Sequence, residues 1–284
     1  MGRRLFCEIS PTAYRISVMK QCFARHMSDL CSCSFFASDI STEPLEFCVY
    51  KNRSLMRRQL GNVDMHLQEN KVVNLSLAAP AVNGILIHPG QTFSFWRLVG
   101  ATTQKKGYKT GLILKSNAPA EGIGGGMCQF TNLIHWLVLH SPLEITEHHH
   151  HDGVDLFPDY GRQIPFGSGT SIYYNYLDYR FTNPTKHTFQ LITYVTDTHL
   201  CGELRCDSHL DRSYHICTEG EAFVKRADGV YRTGRIYRET YDKESGNLLL
   251  RELIKENNAK VMYNTDGLDV VNEQKTDPKT EVQA

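Results

Sequence analysis

Glu121-Gly122-Ile123-Gly124-Gly125-Gly126-Met127-Cys128-Gln129-Phe130-Thr131-Asn132 is the stretch whose reading decides the fold. Three consecutive glycines run into a cysteine, and the apolar segment Leu133-Ile134-His135-Trp136-Leu137-Val138-Leu139-His140 follows at once. Glycines allow positive φ and the close approach of other backbone, and the apolar run predicts a helix that starts near Cys128. A cysteine in the first turn of a helix sits where unpaired N–H groups and the helix dipole favour the thiolate. Two readings of Cys128 stand on this pattern: a reactive thiol, or a small buried hydrophobe beside a tightly packed turn.

Working outward, apolar Ile16, Met19, Phe23, Met27 and Leu30 recur at three and four between Tyr14 and Phe36, which predicts a helix. Such a stripe, decorated by Arg15, Lys20, Arg25 and His26, could rest on a membrane surface, but Cys22 and Asp29 dilute that face, and packing on the protein's own core is the expectation. A second helix is predicted over 70–79 on Val72, Leu75 and Ala79, ended by Pro80. Alternation predicts strands over 91–98, 111–114 and 143–147. The aromatic and β-branched stretches 171–182 and 188–196 read as strands paired around Asn183-Pro184. Short strands with turns at Asp228-Gly229 and Ser245-Gly246 fill 201–264, followed by a polar tail. The fold class is therefore α+β, with a central helix after a Gly-rich loop, mostly antiparallel strands and a small β-rich C-terminal extension. The expected organisation is an N-terminal helical or irregular region over 1–60, a core over 61–204 and the extension over 205–284.

The 31 basic and 31 acidic side chains cancel, so no global field points to nucleic acid. No run reaches the roughly 18 apolar residues of a membrane-spanning helix. Glu8, Pro11, Arg15 and Lys20 interrupt any signal-peptide core, and the nine cysteines are odd in number. Reduced thiols and a cytoplasmic location are the expectation. Cys31-Ser32-Cys33 and the Cys201/Cys206 pair lack zinc-site spacing, and the glycine cluster lacks the Lys-Ser/Thr ending of a phosphate loop. Neither a cofactor nor a resident metal is expected.

The run His148-His149-His150-His151 follows the 143–147 strand. In extended chain His149 and His151 share one face while His148 and His150 share the other. One pair could take the proton of Cys128. Alternatively the run could chelate a divalent metal with Asp152 or Asp155, or stand half-solvated at a strand end. Asp178, or Gln129 beside the thiol, could orient a basic imidazole, and the N–H groups from Gly126 to Gln129 could receive an oxyanion.

Four blocks carry a family resemblance: 69–75 (Glu-Asn-Lys-Val-Val-Asn-Leu), 89–98 (Pro-Gly-Gln-Thr-Phe-Ser-Phe-Trp-Arg-Leu), 124–129 (Gly-Gly-Gly-Met-Cys-Gln) and 177–183 (Leu-Asp-Tyr-Arg-Phe-Thr-Asn). From about Glu69 to about Leu204 the chain resembles the VanW family, named for an accessory protein of B-type glycopeptide (vancomycin) resistance clusters. Several of its members resemble cysteine-dependent L,D-transpeptidases of peptidoglycan. The resemblance implies that Cys128 is the nucleophile, that His151 shuttles its proton with His149 beside it, and that Gly125, Gly126, Gln129 and Thr170 lie on the substrate and oxyanion side. The implied partner is a peptidoglycan stem peptide or its precursor, either acylated on Cys128 or simply bound. Where the family has Asp-Ala-Thr, this chain has Ser168-Gly169-Thr170.

Overall fold

The computed structural model describes residues 5–32, 34–58, 64–115, 118–150, 153–159, 164–174 and 176–272. Helix α1 (Pro11–Cys31) leads into β1 (Phe35–Phe36), β2 (Phe47–Leu55) and α2 (Met65–Ala78). Strands β3 (Ile85–Ile87) and β4 (Gln91–Ser94), the short α3 (Phe95–Val99) and the hairpin β5 (Thr110–Lys115) and β6 (Ala118–Ile123) precede the central helix α4 (Met127–Leu139). Then come β7 (Glu144–Glu147), β8 (Val154–Asp155), β9 (Arg180–Thr182), β10 (Phe189–Val195), β11 (His199–Cys206), β12 (Arg212–Arg226), β13 (Gly229–Asp242), β14 (Leu248–Val261) and β15 (Val270–Asn272). The α+β class expected from the sequence is the class observed.

Two four-stranded sheets enclose the core. One has the order β1-β4-β9-β7 and the other β2-β11-β10-β3, antiparallel except for the β1/β4 pair. Helix α4 buries ten of its residues, and Leu133 and Leu137 press so closely on β11 that a side chain at Gly202 would meet them at 3.0–3.1 Å. Burial of this kind stabilises by roughly 25 cal/mol per Å² of apolar surface.

Several elements differ from the sequence expectation, each for a long-range reason. The strand expected over 91–98 stops at Ser94, because the Asp178 carboxylate accepts from the Ser94 hydroxyl and the Trp96 N–H and so starts α3. Of 171–182 only Arg180–Thr182 is a β-strand. It pairs with β4 and β7 rather than with β10, since the Asn183 amide donates to the Ile87 and His187 carbonyls and hands the chain to the other sheet. The extension is built of long strands, with β12 spanning 15 residues. Its five-stranded sheet takes β8 from the middle of the chain as an edge, parallel to β14.

Helix α1 forms as its spacing predicts, but it faces the other way. Ser10 caps its N-terminus and Pro11 opens it. Ile16, Met19, Phe23, Met27 and Leu30 are all exposed, Met19 by 70% and Phe23 by 66%. The polar side turns inward: Arg25 donates twice to the Glu147 carboxylate at 2.6 Å, and Arg180 donates to Asp29 at 2.7 and 2.9 Å. Arg25 and Arg180 make the bidentate partners of these largely buried carboxylates, and pairing a buried charge outweighs covering an apolar stripe. No described helix is long and apolar enough to cross a membrane.

Candidate active site

The glycine loop is fixed by contact rather than by flexibility. Gly125 lies on β5, where a Cβ would stand 2.5–2.7 Å from the backbone of Gly111 and Leu112. Gly126, with φ 110°, is the N-cap of α4, and a Cβ there would stand 2.5 Å from Lys71 Cγ. Asn74 of α2 holds the loop by donating to the Gly125 and Lys109 carbonyls at 2.9 and 3.0 Å. Cys128 is thereby the second residue of α4, in the turn whose N–H groups have no intrahelical acceptor.

A cleft of about 1380 Å³ opens over this turn, lined by Gly124 to Gln129, Asn132, His150, Thr170 to Tyr174 and the β14 residues Lys255 to Ala259. Burial pushes the Cys128 thiol pKa up, and the backbone N–H groups of Ile172 and Cys128 pull it partly back. The resting sulfur is therefore a neutral thiol that needs a base. No imidazole among the described residues is hydrogen-bonded to it.

The segment 168–172 links the thiol to the histidine run. Ile172 offers its N–H to the sulfur, and Ser171 N–H donates to the His149 carbonyl at 2.7 Å. Gly169 gives its carbonyl to His150 Nδ1 at 3.1 Å and to His148 Nε2 at 3.2 Å. A carbonyl only accepts, so His150 donates through Nδ1, and when the ring is neutral its lone pair is on Nε2, the tautomer a general base requires. His148 packs between His135 and His150, with ring centroids at 4.2 and 4.0 Å and the planes tilted by 39° and 55°. Burial first, then the neighbouring imidazoles, push His148 down to about 3 and hold His135 well below the ordinary range. Both are neutral at pH 7.

The residues singled out from the sequence fall into three places. Cys128, Gly125, Gly126, Gln129 and Thr170 all line the cleft. Within it the Gln129 amide is bound to Ser54 Oγ and the Leu55 carbonyl at 2.8 and 2.9 Å, tying β2 to α4. Thr170 is 2% exposed and bonds Thr131, Asn132 and the Cys128 carbonyl, so it pins the linking segment to α4. His149 turns away from the cleft to Glu147 Oε1 at 2.9 Å. Asp178 sits with it in the ionic cluster beneath α1, accepting from Ser94, Trp96, Tyr179 and Arg180. The structure does not bring His149 or Asp178 to the thiol. His151 lies outside the described residues, as does Asp152.

Alternation along the run holds, since His148 and His150 share one side and His149 the other. The side that meets the Cys128 cleft is that of His150. Sequence reasoning also missed the Gly169 carbonyl, whose role no side chain signals, and the buried pair Gln68 and Lys71. Among the described residues His187, Cys206 and Asp207 bring potential ligand atoms within 4.8 Å of one another, but none of them lines the cleft.

The VanW family, described as VanW like protein, matches residues 70–205. The vancomycin B-type resistance protein VanW of Enterococcus faecalis is 32% identical over 228 residues, which cover 80% of this chain and 82% of the relative. The chain belongs to the VanW family. A second relative, the uncharacterized protein YoaR of Bacillus subtilis, is 32% identical over 113 residues, or 39% of this chain and 34% of its own length. No solved structure matches. The VanW match runs from within α2 nearly to the end of β11, hence over both core sheets except β1 and β2, and includes Cys128, His150 and Gly169.

Proposed function

We propose that this VanW-family protein serves glycopeptide (vancomycin) resistance by cysteine-dependent acyl transfer on peptidoglycan stem peptides or their precursors. The observation that carries the reading is the His150–Gly169 bond, which poises one imidazole of the run, with its lone pair on Nε2, in the cleft that holds Cys128. Such a group, oriented by a third partner, is what activates a protonated thiol. In the proposed reaction His150 Nε2 takes the Cys128 proton while sulfur attacks a peptide carbonyl. The oxyanion is received at the start of α4, where Met127 and Cys128 present N–H groups. His150 returns the proton to the departing amine, leaving a thioester, and an amine of a second stem peptide then displaces the sulfur to form a new amide.

Incubation with stem tetrapeptides, followed by chromatography of the products, tests it. The reading requires cross-linked or amine-exchanged peptide from the unaltered protein and none from Cys128→Ala. Absence of product from both, with peptide still bound, would leave the second reading, a binding module on the same scaffold. The burial that keeps Cys128 protonated favours that alternative. Under it, peptide binding survives Cys128→Ser.

A further inference from the structure

Helix α2 turns one face inward: Leu67, Gln68, Lys71, Asn74, Leu75 and Ala78 are buried. Asn74 is satisfied by the Lys109 backbone and Gly125. Lys71 and Gln68 are not. Lys71 is 7% exposed and donates once, to Gln68 Oε1 at 2.6 Å. No carboxylate pairs with it among the described residues. Gln68 is 1% exposed, and its Nε2 has no hydrogen-bond partner among the described residues. Both line the cleft, as does Arg58, whose charge bears on Lys71. The stem of Lys71 lies against Gly126, at the N-terminus of α4.

A buried ammonium without a counter-ion and a buried amide without an acceptor both lack the same thing, an anionic oxygen. We propose that Lys71, Gln68 and Arg58 form a carboxylate-binding subsite in the cleft beside the start of α4. Its ligand is the terminal carboxylate of a bound peptide, taken by the ammonium, the Gln68 Nε2–H and the guanidinium as charge-assisted bonds. The subsite would fix which end of the peptide lies at α2. Burial first and the Arg58 charge second push Lys71 down to about 7, and a bound carboxylate opposes that shift by stabilising the ammonium. This assignment of a ligand rests on the peptide reading above, whereas the site's preference for a carboxylate does not.

The test follows the Lys71 ε-methylene by NMR in the full chain, with N-acetylalanine and N-acetylalaninamide as probes. The subsite requires that the acid raise the Lys71 midpoint by a unit or more while the amide leaves it in place. An equal response to both, or none to the acid, overturns it. Gln68→Glu supplies an internal carboxylate, so it should raise the midpoint without any ligand and abolish the response to the acid. A response to N-acetylalanine in a protein that binds no stem peptide would keep the subsite and remove the peptide reading. Stem peptide bound equally as acid and as amide would do the reverse.

A separate observation concerns α1. Its outward face carries the apolar residues that core packing leaves uncovered, together with exposed Arg15, Lys20 and His26, and no acidic side chain of the helix is exposed. Leu5, Phe6 and Ile9 extend the apolar surface, at 62%, 56% and 61% exposure. We infer that α1 docks on an anionic lipid surface, its apolar stripe entering the headgroup boundary and its basic residues meeting lipid charge. Tyr14 and Val18 of the same helix line the cleft, so docking would bring the cleft to the membrane. Co-sedimentation of the full chain with phosphatidylglycerol and phosphatidylcholine vesicles tests it. Binding to the anionic vesicles, reduced at least tenfold by Phe23→Glu, supports the inference. No binding, or binding untouched by Phe23→Glu, overturns it, as does a dimer that the same substitution dissociates.

Discussion

His150 donates through Nδ1 to the carbonyl oxygen of Gly169 at 3.1 Å, and of the three described histidines of the run it is the one that lines the cleft with Cys128. His149, one residue away, gives its Nε2 side to Glu147 instead. His150→Gln should therefore lower kcat/KM for acyl transfer by 10² or more, the usual scale of a lost general base. His149→Gln should change it less than threefold, while lowering stability by about 1 kcal/mol for the lost hydrogen bond. Steady-state kinetics and urea denaturation on the two variants separate these effects, and the opposite ranking in kcat/KM would move the base to the other face.

Gly126 and Lys71 meet where α2 crosses the start of α4. Gly126→Ala places a methyl 2.5 Å from Lys71 Cγ at a φ of 110°. Positive φ costs about 1–2 kcal/mol for a non-glycine residue, and overpacking costs about 1–3 more. A loss of about 2–5 kcal/mol in urea denaturation is expected, with the Lys71 midpoint also displaced. A neutral effect would mean that the loop is not held as described.

The packed imidazoles set the acid limb of stability. His148 titrates at about 3 in the folded chain against an ordinary 6.5, through burial first and then His150. The unfolded chain thus binds more protons between these values. The stability that comes from keeping His148 neutral is complete above pH 6.5 and is lost as pH falls from 6.5 toward 3, on the order of 4 kcal/mol in all. Denaturation midpoints measured from pH 7 to 4 should fall steeply, and His148→Phe should flatten the slope.

Lys71 works in the opposite sense. Its folded value of about 7 lies below an ordinary 10.5, so the unfolded chain holds the extra proton between them and stability rises with pH across that interval. Lys71→Met removes the buried charge, a gain on the order of 4 kcal/mol at pH 6, partly offset by about 1–3 kcal/mol for the Gln68 Oε1 left without a donor. The variant should melt a few degrees higher at pH 6, lose the rise between pH 7 and 10.5, and no longer distinguish a carboxylate ligand from its amide. A lower melting temperature would contradict the burial argument.

Helix α4 was legible because an apolar run of helical length follows a glycine break, and both signals are local. The existence of α1 was legible for the same reason, but not its end, since it stops at Cys31 and Phe35–Phe36 is a strand, nor its orientation. Its inward face depends on Glu147 and Arg180, far along the chain, which make Arg25 and Asp29 the buried side. The aromatic composition of 171–182 predicts a strand, yet its first residues belong to the segment 168–172 that carries the Gly169 carbonyl and the Ile172 N–H to the site, and backbone groups leave no trace in a sequence. Asp178 reads as an orienting carboxylate and is instead the partner that starts α3. Cys128 and its glycines were read directly, whereas the choice of His150 required knowing which side of the run meets α4.

The most direct measurement of the central claim is the intact mass of the protein rapidly quenched in acid after mixing with a stem tetrapeptide, with the modified residue located by peptide mapping. The account requires an acyl adduct on Cys128 in the unaltered protein, strongly reduced in His150→Gln and unaffected in His149→Gln. Peptide bound in the cleft with no adduct on Cys128 at any time after mixing would contradict it.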